Sequence, residues 1–200
     1  MLYALAVRVF RLAWAVLFRW RCTGSEHLPL QGPALFCANH RAWADGITLG
    51  VVSRRRVHFM AKEELFRWRP LAWLFRELGA FPVRRGRPDR AALRHSFRLL
   101  DEGKVLGIFP EGTRNRTGQL GPGEPGAALL AARSGAPVVP AAIVGDYRIG
   151  RPLAVRVGSP FTLVPPADGR INSEWLSRQS QIIMEHIANL MAEGQEGETG

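Results

Sequence analysis

Cysteine is nearly missing from this chain: Cys22 and Cys37 are the only two in 200 residues. They lack C-x-x-C spacing, which excludes a disulfide framework and a cysteine zinc or redox site. Both read as buried thiols of a reducing compartment. Lysine is as scarce, since Lys62 and Lys104 are the only ones among 27 basic residues. Acidic residues number 17, leaving a net charge of +10 carried almost wholly by arginine. Such a charge seeks an anionic partner: nucleic acid, a phospholipid surface or a phosphorylated substrate. The planar guanidinium fork leans the choice towards phosphate. No apolar run approaches the ~20 residues needed to span a bilayer; the longest, LYALAVRVFRLAWAVLF, is broken by Arg8 and Arg11. Those arginines, and the want of a small-x-small cleavage site in WRCTGSEHLP, also argue against a signal peptide, so the segment is expected to be retained. Internal repeats, low-complexity tracts and linkers are lacking too. With 46% hydrophobic and 22% charged residues, what remains is one globular domain with a real core.

On a helical wheel Arg8, Arg11 and Arg19 fall within about 80°, with Leu2, Leu5, Val9, Leu12, Trp14, Val16 and Phe18 around the rest. Two placements satisfy that pattern. The helix lies in a membrane interface with its guanidiniums at the phosphates, or it docks on the protein's own core with its arginines in water. From Pro33 onward short apolar runs alternate with amphipathic stretches. ALFCA (34–38), VHFMA (57–61), AFPV (80–83), VLGIF (105–109), VVPAAIV (138–144) and LAVRVG (153–158) have strand length and little polar alternation, so most should be buried on both faces. Helices are predicted at 45–53, 63–78, 89–102, 124–134 and 172–193, the last capped by Asn172 or Ser173. The alternation predicts an α/β domain with a mostly parallel central sheet flanked by helices. Residues 194–200 read as a disordered tail.

In such a sheet chemistry sits where strands end at their carboxyl side. After ALFCA comes NHRAWADGITL, which puts His40 and Asp45 there. Five helical residues turn through about 140°, so the two side chains cannot share a helix face, but a loop running into a helix that starts near Asp45 can curl them together. A carboxylate on one imidazole nitrogen makes the other a better base, although a helix cap beside a surface histidine has the same spacing. VLGIFPEGTRNRTG again runs a strand into a turn. Gly112 lets backbone approach a ligand, with Glu111, Arg114 and Arg116 beside it; a Glu111–Arg114 ion pair in a capped turn fits equally.

The two motifs in this order resemble those of the glycerophospholipid acyltransferase family, in its 1-acylglycerol-3-phosphate (lysophosphatidate) branch: NHRAWAD resembles N-H-x-x-x-x-D, and FPEGTR stands intact. KEELFRWRPLAWLFRELGAFPVRR resembles the stretch from K-x-x-L-F to G-x-x-x-V-x-R, and VVPAAI the V-P-V-x-I strand, so the likeness runs from about Gly24 to Gly158. It implies His40 as general base, Asp45 as its orienting carboxylate, and Glu111, Gly112, Thr113 and Arg114 as the acceptor-binding turn. Arg85 becomes a second candidate for the acceptor phosphate; Lys62 matches the opening lysine of its block, and its expected place near the catalytic end of the sheet suits it to polarise the thioester carbonyl. Where the family often has an aspartate before the closing arginine and a lysine after the FPEGTR turn, this chain has Arg84 and Glu124. The resemblance further implies no metal and no cofactor, with acyl-CoA or acyl carrier protein thioester as co-substrate and a lysophospholipid as acceptor. It implies a monotopic or peripheral place on the cytoplasmic face of the cell membrane. The expected organisation is a membrane-associating helix over 1–23, an acyltransferase domain over 24–193 and a tail.

The same chemistry is what a thioester donor asks for. An alcohol must be deprotonated, held at the carbonyl, and the oxyanion stabilised. No G-x-S-x-G elbow is present and neither cysteine has a histidine near it in sequence, so direct attack by the acceptor hydroxyl is preferred to an acyl-enzyme. Phe66, Trp68, Trp73 and Phe75 mixed with Arg67, Arg69 and Arg76 suit a headgroup interface, or else a core helix kinked at Pro70. His27, His58, His95 and His186 belong to no constellation. The rival class, a nucleic-acid-binding module, has RRR at 54–56 and RRGR at 84–87 in its favour. It does not call for buried strands ending in these two motifs.

Overall fold

A computed structural model of the chain describes residues 2–84, 89–115 and 119–193. Seven strands form one sheet in the order β1-β7-β6-β2-β5-β3-β4. They are β1 (Arg19–Thr23), β2 (Ala34–Ala38), β3 (Val57–Lys62), β4 (Ala80–Val83), β5 (Val105–Ile108), β6 (Val138–Gly145) and β7 (Pro152–Val157). All pairings are parallel except β6 with β7. Six α-helices accompany them: α1 (Leu2–Leu17), α2 (Asp45–Val52), α3 (Arg69–Glu77), α4 (Arg90–Asp101), α5 (Pro125–Ser134) and α6 (Ser173–Ala192). The fold is the expected single α/β domain with a mostly parallel sheet.

Strand β2 shows why its apolar run could not alternate. Leu35 and Cys37 point into a core closed by α4, α5 and α6 through Leu99, Leu130 and Ile183. Ala34, Phe36 and Ala38 point into a second core closed by α1 and α2 through Trp14 and Leu49. A strand covered on both faces has no polar side to show. The edge strand β4 is more open and tolerates Pro82, whose missing N–H costs nothing there.

The topology also decides where a ligand can sit. The chain leaves β2 for α2 on one face, towards β3, and leaves β5 for α5 on the other face, towards β6. β2 and β5 are neighbours. Their onward connections diverge at the carboxyl ends, which opens a crevice between them. His40 and Glu111 follow those two ends.

Three local readings need correction. The N-terminal helix stops at Leu17, and residues 19–23 form β1, paired with β7 from Arg19↔Pro152 to Thr23↔Arg156. RWRCT has period two, with Arg19, Arg21 and Thr23 exposed and Trp20 and Cys22 half-buried, so Arg19 leaves the arginine seam. The helix foreseen over 63–78 is a 3-10 turn, Glu63–Phe66, followed by α3. Pro70 stands in the first turn of α3, where its lack of an N–H is harmless, and it kinks nothing. Finally, α1 docks on the domain's own core, but not with all its arginines left to water, since Arg11 Nη2 donates to Val51 O at 2.8 Å. Trp14 is buried, with Phe10, Ala13 and Phe18 packed beside it, while Leu5, Val9, Leu12 and Val16 form an exposed stripe at helical spacing.

Candidate active site

The chain turns at the end of β2 so that His40 and Asp45 meet. Imidazole Nδ1 lies 2.8 Å from Asp45 Oδ2. Asp45 opens α2 and is wholly buried. Its Oδ2 also accepts the backbone N–H groups of Arg41 at 2.6 Å and Ala42 at 2.7 Å, and its Oδ1 accepts the Tyr147 hydroxyl at 2.8 Å. Four donors offset the cost of keeping a carboxylate out of water. With Nδ1–H donating to the carboxylate, Nε2 is the nitrogen left to take a proton.

The loop that carries the histidine is fastened on every side. Asn39, also buried, behaves as a strand pair: its Nδ2 donates to Ile143 O at 3.0 Å and its Oδ1 accepts Ile143 N–H at 2.7 Å. Arg41 Nη1 donates to Gly145 O at 2.9 Å, and His40 O accepts Asn115 N–H at 2.8 Å. Phe109 stacks on the imidazole with centroids 4.0 Å apart and planes 12° from parallel, and Phe59 lies over Phe109 at 6.0 Å. Gly107 makes that stack possible, since a Cβ there would stand 2.0 Å from the Phe59 ring. Such a ring of supports holds the imidazole in one orientation.

Glu111 is brought beside the His40–Asp45 pair, its carboxylate bonded to backbone. Its Oε1 accepts the His40 N–H at 2.8 Å and its Oε2 the Gly121 N–H at 3.0 Å. The carboxylate faces the protein's own backbone and bolts the β2 loop to the β5 loop, in place of an ion pair with Arg114. Gly112, Thr113 and Arg114 follow on an exposed turn, with Gly112 at φ 66, a conformation glycine adopts without strain. Lys62 ends β3 with an exposed ammonium paired to Glu64 at 3.2 Å. Arg85 and Arg116 lie outside the described residues. Of the two charge departures, Arg84 is paired with Glu63 at 3.1 Å. Glu124 stands beside the FPEGTR turn, its Cγ 3.3 Å from where a Cβ on Gly112 would lie.

Sequence reasoning missed Asn39, Phe109 and Tyr147. Asn39 and Phe109 adjoin the motifs and could have been suspected from position. Tyr147 lies 102 residues from Asp45, and no local spacing announces it. Neither thiol offers a nucleophile: burial pushes Cys37 up to about 12 and raises Cys22 as well. Among the described residues no three His, Cys, Asp or Glu side chains gather as a metal site.

A protein-family model described as Acyltransferase matches residues 19–144. The chain is 39% identical over 121 residues to a 1-acyl-sn-glycerol-3-phosphate acyltransferase of Bacillus subtilis, covering 60% of each. It is 36% identical over 104 residues to a lyso-ornithine lipid O-acyltransferase of Pseudomonas aeruginosa, covering 52% of this chain and 38% of that one. Over these curated relatives it therefore spans 60% of the length or less. In three dimensions it resembles the crystal structure of a 1-acyl-sn-glycerophosphate (LPA) acyltransferase from Thermotoga maritima, with a TM-score of 0.73, 22% identity, and coverage of 94% of this chain and 79% of that one.

Proposed function

The chain belongs to the acyltransferase family, and on that premise we propose that it moves a fatty acyl group from acyl-coenzyme A or acyl carrier protein to the sn-2 hydroxyl of 1-acylglycerol-3-phosphate, giving phosphatidic acid. The observation that carries this reading is the 2.8 Å His40–Asp45 hydrogen bond at the crevice between β2 and β5. His40 Nε2 takes the acceptor's hydroxyl proton as that oxygen attacks the thioester carbonyl. The tetrahedral intermediate then collapses, the C–S bond breaks, and the thiolate leaves with the proton held on the imidazole. Asp45 orients the ring and balances the imidazolium while it lasts. Arg114, exposed on the turn after β5, and Arg85 are the candidate grips for the acceptor phosphate, and Lys62 for the thioester carbonyl.

Both substrates are amphiphiles, and the surface has a face for them. The α1 stripe of Leu5, Val9, Leu12 and Val16, together with Trp43, Trp68 and Trp73, is between 56% and 75% exposed. Side chains of this kind favour a membrane interface. Among the described residues no helix is long and apolar enough to cross a membrane, so the proposed contact is monotopic, by a helix lying in the headgroup layer. Changing the four stripe residues to serine should abolish co-sedimentation with anionic vesicles while transfer between short-chain soluble substrates continues. Unchanged co-sedimentation would remove α1 from membrane binding.

A second acceptor class has one observation in its favour. Glu124 puts a carboxylate next to the turn expected to meet phosphate, and one relative is named for a lyso-ornithine lipid. An acyl-transfer assay pairing acyl-CoA and acyl carrier protein donors with 1-acylglycerol-3-phosphate, neutral lysophospholipids and lyso-ornithine lipid separates the two. The first reading expects the highest kcat/KM on 1-acylglycerol-3-phosphate. A preference for the amine-bearing acceptor, lost in Glu124→Gln, would establish the second, and transfer to none would overturn both.

A further inference from the structure

Tyr147 stands just beyond β6, and its hydroxyl donates to Asp45 Oδ1 at 2.8 Å. That oxygen faces away from the histidine, whose bond goes to Oδ2. The same hydroxyl lies 2.8 Å from Thr48 Oγ1, and Thr48 in turn accepts the indole N–H of Trp14 at 3.1 Å. The proton count gives this line a direction. An indole N–H can only donate, and the phenol's single proton is committed to the carboxylate. The Thr48 hydroxyl therefore supplies the proton between Thr48 and Tyr147, or shares it with Ala44 O, 3.1 Å away. The donors at its two ends, the Trp14 indole and the Tyr147 phenol, both point towards Asp45.

Helix α1 also holds the tyrosine by its ring. Phe10, Trp14, Phe18 and Tyr147 meet edge to face in succession, with centroids 5.6, 5.6 and 5.9 Å apart. Thr48 is fully buried and Trp14 is 6% exposed, so the inner half of the line runs through dry interior, where hydrogen bonds are strong and a missing partner is costly. Burial and the neighbouring Asp45 carboxylate also raise the phenol above its ordinary range, which keeps it a donor.

We propose that Tyr147 is a positioning residue for the His40–Asp45 pair, and that Trp14, acting through Thr48, makes the seating of α1 on the domain a determinant of turnover. The inference rests on the acyl-transfer reading above. On that reading the helix with the exposed apolar stripe is the same helix that braces the catalytic carboxylate. Its inner face and its outer face have separate tasks.

The test uses the full chain and short-chain water-soluble acyl-CoA and 1-acylglycerol-3-phosphate, so that membrane affinity does not enter. Tyr147→Phe keeps the ring and removes the donor. It should lower kcat about tenfold, with acceptor KM within about twofold, because it loosens a group that acts in the transition state. Trp14→Phe should lower kcat about threefold by the same route, one bond further out. Thr48→Val should resemble Tyr147→Phe, and Thr48→Ser, which restores the hydroxyl, should recover most of the loss. The double variant Trp14→Phe/Tyr147→Phe should be no slower than Tyr147→Phe alone, since its two losses lie on one line.

His40→Ala, assayed alongside, separates the two readings. If it stays active, the acyl-transfer mechanism falls and this inference with it. If it is inactive while Tyr147→Phe and Thr48→Val keep wild-type kcat, the positioning role alone is overturned. Fully multiplicative losses in the double variant, or a lowered unfolding midpoint with kcat per folded molecule unchanged, would reduce these residues to packing.

Discussion

Histidines at the two ends of the same sheet have had opposite outcomes. At the carboxyl end His40 has a carboxylate on Nδ1, an aromatic ring across its face and backbone bonds on either side. At the amino end His58 opens onto a cleft of about 490 Å³ that it shares with His95, Arg56, Arg76 and Lys104. There burial first, then the positive charges of Arg56 and Lys104 and the nearby His95, push His58 down to about 4. Burial alone makes an imidazole a poorer base and leaves it neutral. What fits a histidine for proton transfer is a partner that gains from the positive charge, held where the ring must point. The arginine-rich composition supplies cations at both ends, but among the described residues a buried carboxylate meets an imidazole only at the carboxyl end.

The largest test of this contrast is removal of each ring. His40→Ala should cost about 10² to 10⁴ in turnover, with the protein still folded by circular dichroism. Asp45→Asn should cost a large part of the same factor, in kcat rather than in acceptor KM. His58→Gln should leave turnover unchanged in the same assay. Equal losses from both histidines would mean that the sheet ends do not differ as described.

Next in size is Glu111, which divides stability from chemistry. Glu111→Ala leaves the His40 and Gly121 amides without their acceptor, at about 1 to 3 kcal/mol for each group that stays buried. The urea midpoint should fall and turnover with it, because the β2 loop loses its bolt. Glu111→Gln can still accept one amide but presents an NH₂ to the other, so it should fall between. An alanine variant with wild-type stability and only a raised acceptor KM would return Glu111 to the acceptor-binding role.

The smallest effect concerns the amino end. His58 titrates near 4 in the folded chain, against about 6.5 when unfolded. Between those values only the unfolded chain binds the proton, so the contribution is fully present above pH 6.5 and is lost as pH falls towards 4. His58 is half-exposed, and solvent screening reduces the effect to roughly 1 kcal/mol. Urea unfolding of wild type and His58→Gln at pH 7 and pH 4.5 should show a gap that narrows in the variant. Parallel losses in both would place the acid sensitivity elsewhere.

The strands after Pro33, the helices there apart from the 3-10 turn at 63–66, and the His40–Asp45 pair could be read from the chain because each depends on neighbours within a few residues. A strand buried on both faces is a continuous apolar run, the starts of α4 and α6 are the capping residues Asp89 and Asn172, and a loop histidine meets a carboxylate five positions on. The N-terminal edge strand escaped because RWRCT continues the apolar run of α1, and its period of two is only five residues long. Which face of α1 docks was also undetermined, since both faces are apolar and the Thr48 hydroxyl that receives the Trp14 indole lies 34 residues away.

The rest was decided by tertiary structure. Glu111 joins His40 across 71 residues, Asn39 joins Ile143 across 104, and Tyr147 joins Asp45 across 102. Contacts at such separations leave no period in the sequence. They exist because the strand order sets β2 between β5 and β6, so that loops far apart in the chain end side by side. The sequence by itself determined that a histidine and an aspartate would stand together at the end of a parallel strand. Only the packing of β5, β6 and α1 around that strand decided which backbone, ring and hydroxyl would hold them still.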